Sequence, residues 1–219
     1  MRYSAGENHL RMQKWDSNFR LGNELTKEQM DFLHQYLIAG LWGVWLLIWL
    51  AAAGASKKNA RRESGLSRAS HGIPLGLAGW LLIERRFSLG VLNARFMPEA
   101  EWPFVVGAVL VAIGLGFAVW ARLYLGRNWS AAVTIKREHE LIRTGPYRWV
   151  RNPIYTGMLL GFVGSALARG QWSGVLAVAI AFAALWYKVR IEERVLRETF
   201  GAQYDAYRNE VASLIPLVL

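Results

Sequence analysis

The chain has 219 residues, a length that suits one domain, and combines 53% hydrophobic residues with 19% charged ones and a net charge of +10. It has no cysteine, which excludes disulfides and thiolate metal sites, and His9, His34, His71 and His139 are scattered without ligand spacing, so no metal centre is expected. The charges collect in blocks separated by long charge-free runs, so the basic balance calls for no nucleic-acid partner and suits an anionic membrane surface.

Residues 1–31 balance acidic and basic groups and lack an apolar core of signal-peptide type. They are expected to form a mobile or interfacial segment with a short amphipathic helix from Thr26. Phe32 to Ala55 follows without a charge and is long enough to cross a bilayer, which needs about 20 apolar residues. Trp42, Trp45 and Trp49 recur on it at helical spacing, as a lipid-facing or packing stripe. Gly72 to Phe96 would be a second span except for Glu84, Arg85 and Arg86 near its middle. Charges there cost about 2.5–3.5 kcal/mol each; the favoured reading is a locally paired cluster at a bundle interface, and the alternative is that it borders the active site. Trp102 to Ala121 is the third span. Pro153 to Ala168 and Gln171 to Tyr187, separated by Arg169 and Gly170, read as a tight helical hairpin. Gly157, Gly161, Gly164 and Ser165 are assigned to packing within it.

The expected fold is thus all-α, a polytopic membrane bundle of about five transmembrane helices. Spans one to three occupy residues 32–121. A core at 122–219 holds the last two spans and a C-terminal helix. Basic residues crowd the segments after the first, third and fifth spans, among them Lys57, Arg61, Arg122, Arg143, Arg148, Arg151, Arg190 and Arg194. By the positive-inside rule these segments and the C-terminus are cytoplasmic and the N-terminus is outside. Compact length points to a prokaryotic cytoplasmic membrane.

The chemistry concentrates in two stretches. From His139 to Gly157 the chain carries a Gly145-Pro146 turn signal and an Asn152-Pro153 helix start. Free N–H groups at that helix start, with Arg148 and Arg151 beside them, suit a carboxylate or phosphate. Lipid headgroups are the alternative ligand. The second stretch is Lys188 to Glu193. Its i,i+4 spacings, Lys188 to Glu192 and Glu193 to Arg197, fit ion pairs on a helix surface. An acidic group there also suits the positive part of a zwitterion.

His139-x-Leu141-Ile142, Gly145-x-Tyr147, Arg151-Asn152-Pro153-x-Tyr155-x-Gly157, Glu192-Glu193 and Phe200-Gly201-x-x-Tyr204-x-x-Tyr207-x-x-x-Val211 with Pro216 form an ordered set. It resembles the signature of the isoprenylcysteine carboxyl methyltransferase family over residues 120–217. Phospholipid N-methyltransferases, thiol S-methyltransferases and sterol reductases share parts of it. The resemblance implies a helical bundle with a pocket for S-adenosyl-L-methionine on its cytoplasmic side. It implies that His139, Glu140, Leu141, Ile142, Tyr147, Asn152, Pro153, Ile154, Tyr155 and Glu192 contact that cofactor, with Arg151 beside them. It also implies that Lys188, or Arg190 as a near alternative, faces the carboxylate of a lipophilic substrate entering from the bilayer. Were the acceptor an amine or thiol, Glu193 and Tyr155 are the candidate bases. The sequence departs from the family at Asn152, where histidine is usual.

Overall fold

The computed structural model describes residues 29, 32, 34, 36–52, 65–84, 90–126 and 141–216. Among them the regular structure is helical: α1 (Tyr36–Ala52), α2 (Gly65–Ile83), α3 (Glu101–Leu125), α4 (Pro153–Arg169), α5 (Trp172–Phe200) and α6 (Ala202–Glu210), with 3-10 turns at Gly90–Asn93 and Gly145–Arg148. The chain divides into two compact units, Met1–Ala39 and Gly40–Leu219. In the first, the rings of Phe32 and Tyr36 lie 4.7 Å apart; the expectation for residues 1–28 falls outside the described residues. The functional residues belong to the second unit.

Two helices, α3 and α5, are long and apolar enough to cross a bilayer, and α1 carries a shorter apolar run. Only 33% of the most apolar stretch of α3 is buried. Its Trp102, Val105, Val106, Val109, Ile113, Trp120 and Leu123 point outward, while Gly107, Val111, Gly114, Leu115 and Ala118 point inward. A water-soluble protein buries such a face. Large apolar side chains outside and small ones inside mark an integral membrane protein.

The small inner residues set the packing. A Cβ added at Gly164 would meet the Gly107 carbonyl oxygen at 2.5 Å, and one at Gly114 would meet the Gly157 carbonyl oxygen at 2.6 Å. Backbone therefore rests on backbone along the antiparallel α3–α4 seam. The hairpin assignment of these glycines is corrected: Gly157 and Gly164 serve α3, and Gly161 faces Trp42 and Leu115. Ser165 accepts a hydrogen bond from the Trp42 indole at 3.0 Å and passes its own to Gly161. The tryptophan stripe is a packing stripe here, continued by Trp42 against Phe162 and Trp45 against Trp49. The α4–α5 hairpin does turn tightly, on left-handed Gly170 (φ 67°), and closes through Gly174 against Ala166. Ala78 and Leu81 of α2 pack with Phe162, Ala177 and Ala181.

The second span differs from expectation. Its helix starts at Gly65 and ends at Ile83, so Glu84 follows the helix instead of interrupting it. Arg85 and Arg86 lie outside the described residues. The sequence run was misplaced because Gly90 to Phe96, apolar in composition, forms a 3-10 turn and bends, with Gly90 at φ 57°. Arg169, at the carboxyl end of α4, donates to the carbonyls of Leu82 and Glu84 at 2.7 and 2.5 Å and to Ser173 at 3.1 Å. One guanidinium thereby caps α2 and ties it to the hairpin. This latch sits at the opposite end of α4 from Pro153.

Candidate functional site

Helix α5 continues unbroken through 29 residues, a length of about 43 Å against a hydrocarbon core of about 30 Å. Its carboxyl end therefore projects past the apolar zone, beside the amino end of α4. There Lys188, 5% exposed, lies 3.5 Å from Glu192 one turn along. Glu192 also accepts a hydrogen bond of 2.8 Å from the hydroxyl of Tyr155, in the first turn of α4. The i,i+4 ion pair read from spacing is present, and a tyrosine from the neighbouring helix completes it. Arg190 differs: it is exposed and lies over the Trp186 ring at 5.8 Å. Of the two basic candidates, Lys188 is the one turned into the cluster.

The segment before α4 supplies the apolar wall. Gly145 adopts φ +61° against the Tyr124 ring, where any Cβ would collide. Tyr124 and Thr144 share a hydrogen bond of 2.8 Å. The 3-10 turn that follows presents Tyr147 inward, 7% exposed, with its hydroxyl donating to the Ala121 carbonyl at 3.4 Å. Tyr147, Ala121 and Ile154 form one buried cluster, against which Trp49, Leu125, Ile142, Tyr155 and Met158 pack. Burial pushes the Tyr147 phenol well above its ordinary range; the neighbouring Tyr207 and the Glu192 charge push it further, and Arg122 opposes them. Glu192 and Tyr147 thus act on each other across the same corner. Trp149, two residues after Tyr147, turns outward, stacks on Phe117 and meets Trp120 edge-on, both of α3.

Glu193 serves a separate structure. Arg151 grips it through two nitrogens, at 3.0 and 3.2 Å, and also donates to the carbonyls of Arg208 and Val211. The Asn152 amide donates to Glu193 at 3.0 Å and to the carbonyl and hydroxyl oxygens of Ser213, each at 3.2 Å. Ser213 donates to Glu193 at 2.6 Å, and Thr156 to the Leu214 carbonyl at 2.6 Å. Backbone N–H groups of Arg151 and Asn152 reach Ala212 and Ser213. The residues after α6 are strapped beneath the start of α4.

The cap at Asn152 is therefore not the expected one. Pro153 does open the helix, but the Asn152 side chain makes no cap hydrogen bond to it. The anion beside this helix start is the protein's own Glu193. The Glu193–Arg197 spacing does not form the anticipated pair: Glu193 takes Arg151, and Arg197 takes Asp205 at 2.8 Å. His139 and Glu140 lie outside the described residues. Leu141 is half-buried, and Arg148 is exposed. Arg122, counted from the sequence among the basic residues after the third span, is instead buried within α3 and donates to the carbonyls of Ala52 at 2.8 Å and Gly126 at 3.3 Å; the sequence reading gives Ser213 and Tyr207 no individual role. The tyrosine stood within the quoted signature; Arg122 and Ser213 carried no signal of spacing.

A carboxylate–ammonium pair beside an aromatic and apolar wall matches a ligand that is flat and apolar at one end and charged at the other. Among the described residues no group of three or more His, Asp or Glu is placed to hold a metal ion.

The family model for phospholipid methyltransferases matches residues 102–203. The chain is 33% identical over 120 residues to the protein-S-isoprenylcysteine O-methyltransferase of Saccharomyces cerevisiae, covering 52% of this chain and 49% of that one. It is 31% identical over 170 residues to a probable protein-S-isoprenylcysteine O-methyltransferase of Oryza sativa subsp. indica, covering 71% of this chain and 89% of that one. The chain thus spans about half the length of the yeast relative and most of the rice one. A solved eukaryotic intramembrane Ras methyltransferase aligns over 73% of this chain and 55% of its own, at 21% identity and a TM-score of 0.48.

Proposed function

The chain belongs to the protein-S-isoprenylcysteine O-methyltransferase family, and from that premise we propose that it transfers a methyl group from S-adenosyl-L-methionine to the carboxylate of a lipophilic, isoprenylcysteine-like acceptor. The observation that carries this reading is the meeting of Tyr155, Glu192 and Lys188 from two helices against the Tyr147 wall. The donor set fits the cofactor. Glu192 offers an anion to its amino group or sulfonium, and Tyr147, Ile142, Ile154 and Tyr155 offer apolar and aromatic surface to the rest. When bound, the cofactor supplies an electrophilic methyl group. A carboxylate is already nucleophilic at neutral pH, so no general base is required.

Lys188 then orients the acceptor carboxylate, and the Tyr155 hydroxyl holds Glu192 in place. The buried wall excludes water, which strengthens each charge interaction in the site. In this reading Arg151, Asn152 and Glu193 are frame, and asparagine in place of the usual histidine is compatible with turnover because the side chain serves the strap. The site lies at the cytoplasmic rim of a five-span bundle with its N-terminus outside, so that the donor arrives from the aqueous side and the acceptor's tail from the bilayer.

A second reading is favoured by the match to the phospholipid methyltransferase model: transfer to a phospholipid amine, with Tyr155 and Glu192 receiving the departing proton. Incubation with methyl-labelled cofactor and total membrane lipid separates the two. A methyl ester releases volatile methanol in base and an N-methyl product does not. The shared premise is tested by calorimetry with S-adenosylhomocysteine on the wild-type protein and on Tyr147→Ala. Binding is expected for the first and is expected to be at least about tenfold weaker for the second, as loss of a buried aromatic contact implies. Equal affinity removes Tyr147 from the site.

A further inference from the structure

Helix α6 touches the site at one point. The Tyr207 hydroxyl donates a short hydrogen bond to the carbonyl of Tyr147, and both rings are buried, at 2% and 7% exposure. That carbonyl belongs to the 3-10 turn Gly145–Arg148. Tyr147 N–H reaches Thr144 at 3.2 Å, and Trp149 N–H reaches Pro146 at 3.2 Å. Both are long for N–H···O bonds. A 3-10 turn has poorer hydrogen-bond geometry than an α-helix, and this one carries the Tyr147 ring into the cluster with Ala121 and Ile154.

Tyr207 is itself held firmly. Its ring meets Tyr204 edge-on at 6.2 Å, and the Arg143 guanidinium covers its face at 5.1 Å. Arg143 in turn pairs with Glu210 at the end of α6. The Val211 N–H returns to the Tyr207 carbonyl at 3.0 Å, at the point where the strap beneath α4 begins. The hydroxyl therefore projects from α6 onto the backbone of that turn.

We propose that Tyr207 is a positioning residue for the methyl-donor site: through the Tyr147 carbonyl it fixes the Gly145–Arg148 turn and so the angle at which Tyr147 meets the ligand. This rests on the reading of Tyr147 as part of the donor site. It makes α6, which bears none of the reacting groups, a determinant of donor affinity.

The test is Tyr207→Phe, which keeps the ring, its contact with Tyr204 and its cover by Arg143, and deletes only the hydroxyl. Hydrogen exchange in detergent, without ligand, should show faster exchange of the amides of residues 144–150 while α3 and α4 remain unchanged. Calorimetry with S-adenosylhomocysteine should show affinity of the folded protein weakened about five- to tenfold, the equivalent of one hydrogen bond, beyond any fall in the thermal midpoint. A purely structural role would lower the midpoint and leave the dissociation constant of the folded fraction alone, and that result overturns the proposal. So does unchanged exchange at 144–150. Failure of the wild-type protein to bind S-adenosylhomocysteine would instead defeat the donor-site reading itself, and this inference with it.

Discussion

Glu192 and Glu193 are neighbours on one helix and belong to different structures. A helix turns about 100° per residue, so the first carboxylate faces Tyr155 and Lys188 while the second faces Arg151, Asn152 and Ser213. Around Glu193 each partner is another part of the chain, and the result is a knot joining α4, α5 and the residues after α6. Around Glu192 one partner, Lys188, lies on its own helix, and an apolar wall stands to one side. The contrast teaches that adjacent acidic residues in a signature need not share a role: one holds the frame, and the other is the one proposed to meet a ligand.

The sharpest way to break this contrast is Glu193→Ala. It leaves the Arg151 guanidinium, 7% exposed, without its carboxylate, and losing one partner of a buried pair costs about 3–5 kcal/mol. The thermal midpoint in detergent should fall by many degrees, while the surviving folded protein keeps its affinity for S-adenosylhomocysteine. A normal midpoint would mean that the knot is not structural.

Glu192→Ala should invert the pattern. Affinity for S-adenosylhomocysteine should drop about 10- to 100-fold, as expected for a charged hydrogen-bond partner worth about 1.5–3 kcal/mol, and stability should suffer less than in Glu193→Ala. Lys188 carries its ammonium on a flexible stem that can turn to water, whereas the Arg151 fork is fixed on several partners. Equal losses of stability in both variants would erase the distinction.

Tyr155→Phe is milder. It removes the 2.8 Å bond to Glu192, worth about 1 kcal/mol, and should weaken the same binding about fivefold with little change in midpoint.

The smallest effect concerns alkaline pH. Burial holds Tyr147, Tyr204 and Tyr207 protonated well beyond the ordinary phenol range. Groups raised in the fold contribute stability that is complete below their unfolded value, about pH 10, and is lost as pH climbs above it. The midpoint should be insensitive to these phenols at neutral pH and fall above about pH 10, with tyrosinate absorbance rising as the knot opens. Free titration of all three at pH 10 without unfolding would contradict their burial.

Much of this architecture is written in the sequence, and the gaps have physical reasons. Charge-free runs located α3, α4 and α5 because an apolar zone selects for composition over a fixed length. The second run, interrupted by charge, was misplaced because its mostly apolar end, residues 90–96, forms a 3-10 turn and bends instead of helix. Helical spacing exposed the Lys188–Glu192 pair, since both residues lie on one helix. It was silent on Tyr155, whose contact crosses between helices, and the family resemblance supplied that residue. Nothing in the sequence pairs Asn152 with Ser213, 61 positions away. A short parallel backbone match at Val150 and Ala212 brings them together, and two residues of pairing leave no periodic trace.

The glycine seam limits how the molecule moves. With carbonyl oxygens resting on bare Cα carbons, and Leu110 and Leu160 already in contact beside them, α3 and α4 cannot slide past each other without driving a side chain into backbone. They behave as a fixed post. Helix α5 is fastened to that post twice, at its beginning by Gly174 on Ala166 and Ser173 on Arg169, and farther along by Glu193 on Arg151 and Asn152. It is a beam held near both ends, and the spacing between the two helices that sets Tyr155 against Glu192 is thereby fixed.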